Sequence, residues 1–349
     1  MTDEGGTERR LRAGVVGIGS HCRRNILPAT RHVPMDLVAF CDVDVSRARV
    51  LAAGYGVQAV YEHLGDMLAR ERLDVVLLVV GPHLHPKLAC EALEAGVHVW
   101  MEKPPGRRVS DVLDIRAAQK DRVVVVGFKK AFTPATRKVV ELFESDDHGP
   151  LRSMASIYPL DVPEDGSRVL AEGAPNRWSD CCHPLAAMTA VGGPVAAVTV
   201  HRAALGGGAC IVEFASGAVG TLHLASGAAS SQPLERYEFY GTGCHAVIEN
   251  GTRVTFQRGI PFRYGETTTY VPPGLGHGAI VWEPQNMLAT PENQPLFTQG
   301  IVGSLEHFCA CVLEGRQATI GDTAMALHLM QIYEAGLLSD GQRIELTVA

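Results

Sequence analysis

The sequence predicts an α/β part followed by an α+β part: a doubly wound parallel sheet, then a large, mostly antiparallel open sheet. Three observations predict this. The first third alternates short apolar runs with helical patterns, which implies repeated strand–helix–strand units. Within it, Leu73–Val80 is a nearly continuous Val- and Leu-rich run broken only by Asp74, as in a strand buried on both faces. After about residue 150, strand-like segments separated by glycine-rich turns dominate, and short links favour antiparallel neighbours. The 349 residues exceed what one core usually serves, so two domains are expected.

In order, Leu11–Gly17 reads as a strand, Ser20–Thr30 as a helix, Met35–Cys41 as a strand and Val45–Tyr55 as a helix. His85–Ala95 is helical and stops at Gly96, a suitable C-terminal cap. Val97–Met101 and Arg122–Gly127 are strands, with the helix Val109–Lys120 between them. The expected later strands are Val195–Arg202, Cys210–Phe214, Val219–Ala225, Glu235–Tyr240, His245–Glu249 and Arg253–Gln257. Gly259–Gln299 reads as a long excursion, and helices return at Gly303–Leu313 and Thr323–Leu338. The expected division is a polar, flexible leader over residues 1–10, a first domain over 11–130 and a second over 131–349, with the final helix packing back on the first.

The 46% hydrophobic and 20% charged content are those of an ordinary globular protein. A net charge of −7 without a basic block argues against nucleic acid as partner. No apolar run reaches the roughly 18 residues that span a bilayer, so no membrane partner is expected. Met1–Arg10 lacks the pattern of a signal peptide. The nine scattered cysteines include the adjacent Cys181 and Cys182, and Cys309 and Cys311 two apart. Neither spacing is a zinc pattern, so no metal is expected, and a reducing cytoplasm fits.

Gly17-Ile18-Gly19 lies between a strand and a helix. Gly17 permits a tight turn, and Gly19 lets the backbone approach a pyrophosphate at the helix N-terminus. Cys22 stands at the third position of the Rossmann glycine fingerprint and is small enough for helix–strand contact. Asp42 closes the next strand. Its carboxylate can accept from ribose hydroxyls and repel a 2′-phosphate. Val43 and Asp44 follow it rather than Arg or Lys, so NAD is the expected cofactor. Lys103, in Glu102-Lys103-Pro104 after Val97–Met101, sits at the mouth of such a sheet. Its ammonium can stabilise a developing alkoxide.

Gly17-x-Gly19, Phe40-Cys41-Asp42, His85 and Glu102-Lys103-Pro104 resemble the glucose–fructose oxidoreductase/inositol dehydrogenase (Gfo/Idh/MocA) family along nearly the whole chain. The resemblance implies cofactor contacts from Gly17, Gly19, Ser20, His21, Cys22, Asp42, Gly81, Pro82, His85, Glu102 and Lys103, and a cis bond before Pro104. His85 reads as a packing or helix-starting residue more than a proton carrier. The resemblance makes His183, in Trp178-Ser179-Asp180-Cys181-Cys182-His183-Pro184, the acid/base beside Lys103. The family's usual acids four before and three after the His are Ser179 and Ala186 here. Asp180, three before His183, could orient the imidazole, or Ser179 or Asp180 could cap the following helix. Lys129 and Lys130 after the sixth strand, with Tyr158 and Trp178, are substrate candidates; Ala131 replaces a frequent arginine. Asp161 and Tyr240 could also line the pocket.

The expected activity is hydride transfer between NAD and a ring secondary alcohol or ketone of a sugar, sugar nucleotide, aminoglycoside or cyclitol. The substrate is a carbohydrate-like small molecule, and the open sheet suggests a homodimer or homotetramer. Alternatives are an NADPH-type keto-sugar reductase in specialised-metabolite (antibiotic) biosynthesis, a non-catalytic dinucleotide-binding regulator, and an NAD-dependent glycosidase.

Overall fold

The computed structural model describes residues 9–145, 150–229, 234–259, 265, 278–285 and 294–347. Most of the expected excursion over 259–299, and residues 1–8 of the leader, lie outside the described residues. By contacts the chain divides into Met1–Phe132 with Gly300–Glu334, and Thr133–Gln299 with Ala335–Ala349. The segment 300–334 thus groups with the first unit, although it comes from the stretch read as the second domain.

The first unit holds β1 (Leu11–Val16), α1 (Leu27–Ala29), β2 (Met35–Cys41), α2 (Val45–Gly54), β3 (Ala59–Tyr61), α3 (Leu64–Arg70), β4 (Val75–Leu78), α4 (His85–Glu94), β5 (His98–Met101), α5 (Val109–Gln119) and β6 (Val124–Val126). The sheet order is β3-β2-β1-β4-β5-β6, and all pairs are parallel. This is the doubly wound order whose direction reverses beside the first strand. Every residue of β4 is buried, as expected of a strand covered on both faces. Val16 pairs with Cys41 and with Leu78, and Leu78 pairs with Met101. The residues that follow, Gly17, Asp42, Val79 and Glu102, therefore leave the sheet at one level of its C-terminal edge.

The helix read over Ser20–Thr30 is present, but it is not a uniform α-helix. A π-helical turn, Cys22–Ile26, precedes α1, and a 3₁₀ turn, Thr30–His32, follows it. Pro28 has no N–H to donate four residues back, so an uninterrupted α ladder cannot form there. Short β3 and α3 have too few apolar residues to stand out by periodicity, and the sequence reading passes over them.

The second unit contains α6 (Pro134–Glu144), β7 (Ser153–Tyr158), α7 (Gly166–Glu172), α8 (Cys182–Gly192), β8 (Val195–Arg202), β9 (Gly208–Phe214), β10 (Val219–Leu224), β11 (Arg236–Tyr240), β12 (His245–Glu249), β13 (Arg253–Gln257), β14 (Ala279–Trp282), α9 (Pro295–Thr298) and β15 (Ile344–Glu345). Helices α10 (Ile301–Glu314) and α11 (Thr323–Leu338) complete the chain. The nine-stranded order is β14-β13-β12-β11-β7-β10-β9-β8-β15. Only β7–β10 is parallel among the described pairs of this sheet. Along β10, Gly220, Leu222 and Leu224 are buried while Val219, Thr221 and His223 are exposed. That alternation is the signature of a sheet covered on one face. No described helix is long and apolar enough to cross a membrane.

Candidate active site

Gly17 adopts φ +87°. A Cβ there would lie 2.3 Å from the Val79 carbonyl oxygen, so the fold itself demands glycine. Gly19 differs: a Cβ on it would meet no atom within 4 Å. Nothing among the described residues requires glycine at that position, which fits close approach of a ligand to the backbone. The Gly17 N–H donates to Cys41 O at 2.9 Å, and the Ile18 N–H donates to Asp42 Oδ2 at 2.7 Å. Asp42 is buried and thereby locks the turn to the end of β2. Its Oδ1 also accepts from the Asp44 N–H at 2.9 Å and from Arg47 Nη2 at 2.8 Å. The sequence reading missed Arg47. It lies five residues beyond Asp42, and α2 brings its side chain back from the first turn. A bare glycine turn joined to a buried acid fits a dinucleotide.

Ser20 and His21 open the helical run, and Cys22 is fully buried within it. Burial, with help from Asp42 and Glu102, pushes the Cys22 thiol up to about 12. Cys22 is a packing residue of the turn. The Asn25 amide donates to His21 Nδ1 at 3.0 Å, so Nε2–H is free to donate to Glu102 Oε1, also at 3.0 Å. The Lys103 N–H donates to Glu102 Oε2 at 3.2 Å. The glycine turn and the end of β5 are thus tied through His21 and Glu102.

The Lys103–Pro104 bond is cis. His85, completely buried at the start of α4, donates from Nδ1 to the Pro104 carbonyl at 2.8 Å. Burial lowers its pKa, so the ring is neutral near pH 7 and holds the Lys103 turn. Gly81 and Pro82 form the turn before α4, closed by the Leu84 N–H donating to Gly81 O at 3.0 Å. Lys129 and Lys130 lie on a short 3₁₀ turn after β6; Lys129 is partly exposed and Lys130 is buried.

In the second unit, Asp180 lies on a 3₁₀ turn, Arg177–Cys181, that runs into α8, where His183 is in the first turn. His183 is 8% exposed. Its Nε2 lies 4.0 Å from Asp180 Oδ1, beyond hydrogen-bond range. The Tyr158 ring, at the end of β7, is 6.4 Å from the imidazole between centroids. Burial first, then Glu235 and Asp180, raise the Tyr158 phenol, which stays protonated near neutrality. The N-cap residue of α8 is Cys181, which makes no side-chain cap, and the Ser179 hydroxyl donates back to Asn176 O at 2.8 Å. Trp178 is corrected. It is fully buried, and a Cβ on Gly336 would lie 2.4 Å from its ring, so it is core and offers no surface to a substrate. Asp161 pairs with Arg177 at 3.4 Å, and the Tyr240 hydroxyl donates to Glu238. No group of three or more His, Cys, Asp or Glu is placed to hold a metal ion among the described residues.

The first unit is a dinucleotide-binding fold with a lysine at the C-terminal edge of its sheet. Residues 11–129 match the model of the Gfo/Idh/MocA oxidoreductase family, NAD-binding Rossmann fold. Inositol 2-dehydrogenase 3 of Saccharopolyspora erythraea is 32% identical over 159 residues, 44% of this chain and 47% of that one. The dTDP-3,4-didehydro-2,6-dideoxy-alpha-D-glucose 3-reductase of Streptomyces antibioticus is 29% identical over 160 residues, 45% of this chain and 48% of that one. The chain thus spans about half the length of these curated relatives. Levoglucosan dehydrogenase, solved with NADH and levoglucosan, shares the fold at TM-score 0.80 and 16% identity, covering 97% of this chain and all of that one.

Proposed function

We propose that the protein is an NAD-dependent oxidoreductase acting on a ring secondary alcohol or ketone of a sugar, sugar nucleotide, aminoglycoside or cyclitol. The observation that carries this reading is the shared sheet edge: the Asp42-locked glycine turn and the Glu102-Lys103-Pro104 turn leave neighbouring strands at one level and are tied by His21 and Glu102. Gly17, Gly19, Ser20, His21, Asp42, Gly81, Pro82 and Glu102 would hold the cofactor. When bound, its nicotinamide supplies the hydride acceptor or donor. Lys103 donates a hydrogen bond to the reacting oxygen and stabilises charge growing on it. His183 takes or returns the hydroxyl proton, a role suited to an imidazole near neutral pH. Asp180 biases the orientation of His183 through charge. Lys129, Lys130 and Tyr158 contribute polar contacts to substrate.

Glu102 also neutralises part of the positive charge at the strand end, and His85 keeps Lys103 in place through Pro104. Names of relatives that act on inositol and on a dideoxy-sugar nucleotide support a carbohydrate-like substrate. The second of those names also favours a runner-up reading, keto-sugar reduction. A cytoplasmic homodimer or homotetramer, joined through the open sheet face, completes the proposal.

The test is a panel of cyclitols and sugars, scored by NADH formation at 340 nm (an assay wavelength), with a panel of keto-sugars run in reverse. Turnover on at least one ring alcohol or ketone supports the reading. Stoichiometric dinucleotide binding with no turnover on either panel would favour the regulator.

A further inference from the structure

We propose that Arg47 allows the ribose end of the dinucleotide site to accept a 2′-phosphorylated cofactor alongside the unphosphorylated one. The inference rests on the dinucleotide reading above. A carboxylate offers about four acceptor positions. Asp42 commits three of them, to the Ile18 N–H, the Asp44 N–H and Arg47 Nη2. With Arg47 in place, about one position remains for a ribose hydroxyl. Asp42 therefore does not present the bare acid that would both grip a ribose diol and repel a phosphate.

The guanidinium at this acid has donors to spare. Arg47 carries five N–H groups, one of which meets Asp42, while Nη1 lies 3.6 Å from Asp44 Oδ2. Its main chain is fixed, since its N–H donates to the N-cap carboxylate of Asp44 at 3.0 Å. Its side chain is 52% exposed, so it can turn from carboxylate to phosphate at little packing cost. A phosphate monoester carries about −1.5 to −2 charge near neutrality, and arginine meets it with charge-assisted, often paired hydrogen bonds. Asp42 and Asp44 both face the same guanidinium and oppose the phosphate. The outcome is tolerance of the phosphorylated cofactor rather than preference for it.

The test is direct binding of NADH and of NADPH, followed by cofactor fluorescence, to wild type, R47A and R47K. Wild type is expected to bind both. The ratio of Kd for NADPH to Kd for NADH should rise at least about tenfold in R47A, the loss of one charge-assisted contact, and less in R47K. If R47A fails to fold, as judged by its unliganded melting curve, R47Q and R47K carry the comparison. A ratio unmoved in the arginine variants, or wild type that binds NADH and excludes NADPH, overturns the inference and leaves the parent reading intact. Wild type that binds neither dinucleotide overturns both.

Discussion

The end of β5 and the start of α8 each supply one of the two residues assigned to chemistry, yet they are built differently. At β5 the chain is held from several directions. The Glu102 N–H donates to Leu78 O at 2.9 Å, His21 reaches Glu102, and His85 holds Pro104. At α8, His183 sits where a 3₁₀ turn becomes an α-helix, with Asp180 Oδ1 4.0 Å from its Nε2. The lysine turn is fixed by neighbouring strands and buried imidazole. The histidine is buried in the first turn of α8. Replacing the anchors of the first should therefore disturb more than replacing the neighbour of the second.

The largest effect should come from Lys103→Met. With the best substrate of the panel, kcat/KM should fall about 10³-fold or more, the scale of losing a principal charge stabiliser, while NADH affinity stays within a few-fold. Steady-state kinetics paired with titration reads both, and unchanged turnover would remove Lys103 from the mechanism. His183→Asn should cost about 10²- to 10⁴-fold. Asp180→Asn, whose carboxylate stands 4.0 Å from His183 Nε2, should cost less than about tenfold. If Asp180→Asn matched His183→Asn, the two would form a tight pair on substrate binding and the contrast with β5 would dissolve.

The two glycines of the turn sharpen the contrast within the first unit. Gly17→Ala forces an alanine into positive φ and onto the Val79 carbonyl, which should lower stability by on the order of 3 kcal/mol. Gly19→Ala meets no atom of the described residues within 4 Å, so its melting temperature should stay near wild type while NADH binding weakens. Comparable melting losses in both would mean that Gly19 serves the fold instead.

A smaller effect is expected from pH. The pKa of His85 is lowered in the folded chain from its ordinary 6.5. Above that value the ring is neutral folded or unfolded. As pH falls below it, the unfolded chain takes up the proton first, so stability is lost. Melting curves from pH 7.5 to about 5 should show this loss, and His85→Asn, whose amide can still donate to Pro104, should flatten it. An unchanged slope in that variant would assign the loss to other groups. Cys22 and Cys41, both pushed up to about 12 chiefly by burial, should resist iodoacetamide in the native chain at pH 8 (a buffer choice).

The parallel sheet was legible because its strands are short apolar runs and its edge carries Gly17, Asp42 and Lys103, residue types whose chemistry follows from position. The π-helical turn was not, because it arises from how Pro28 interrupts a ladder that periodicity alone would continue. Strand β7 escaped notice although it lies within the second sheet, since Ser-Met-Ala-Ser-Ile-Tyr mixes both faces without clear alternation. Arg47 and the His21–Glu102 link were hidden for a third reason. Each joins residues 5 or 81 positions apart through a contact that only the folded sheet edge creates. Trp178 looked like a pocket residue because it adjoins His183 in a motif, but adjacency in sequence says little about which way a ring faces at a helix start.

The central claim is that the Asp42-locked turn holds a nicotinamide dinucleotide. Calorimetric titration of the wild-type chain with NADH, beside a Gly19→Val variant of matching melting temperature, tests it most directly. The account predicts saturable binding of one NADH per chain to wild type, with a melting rise of several degrees at about 100 times Kd, and loss of both in the variant. Absence of heat and of any melting shift with wild-type protein shown free of co-purified cofactor, or equal binding by the variant, would contradict it.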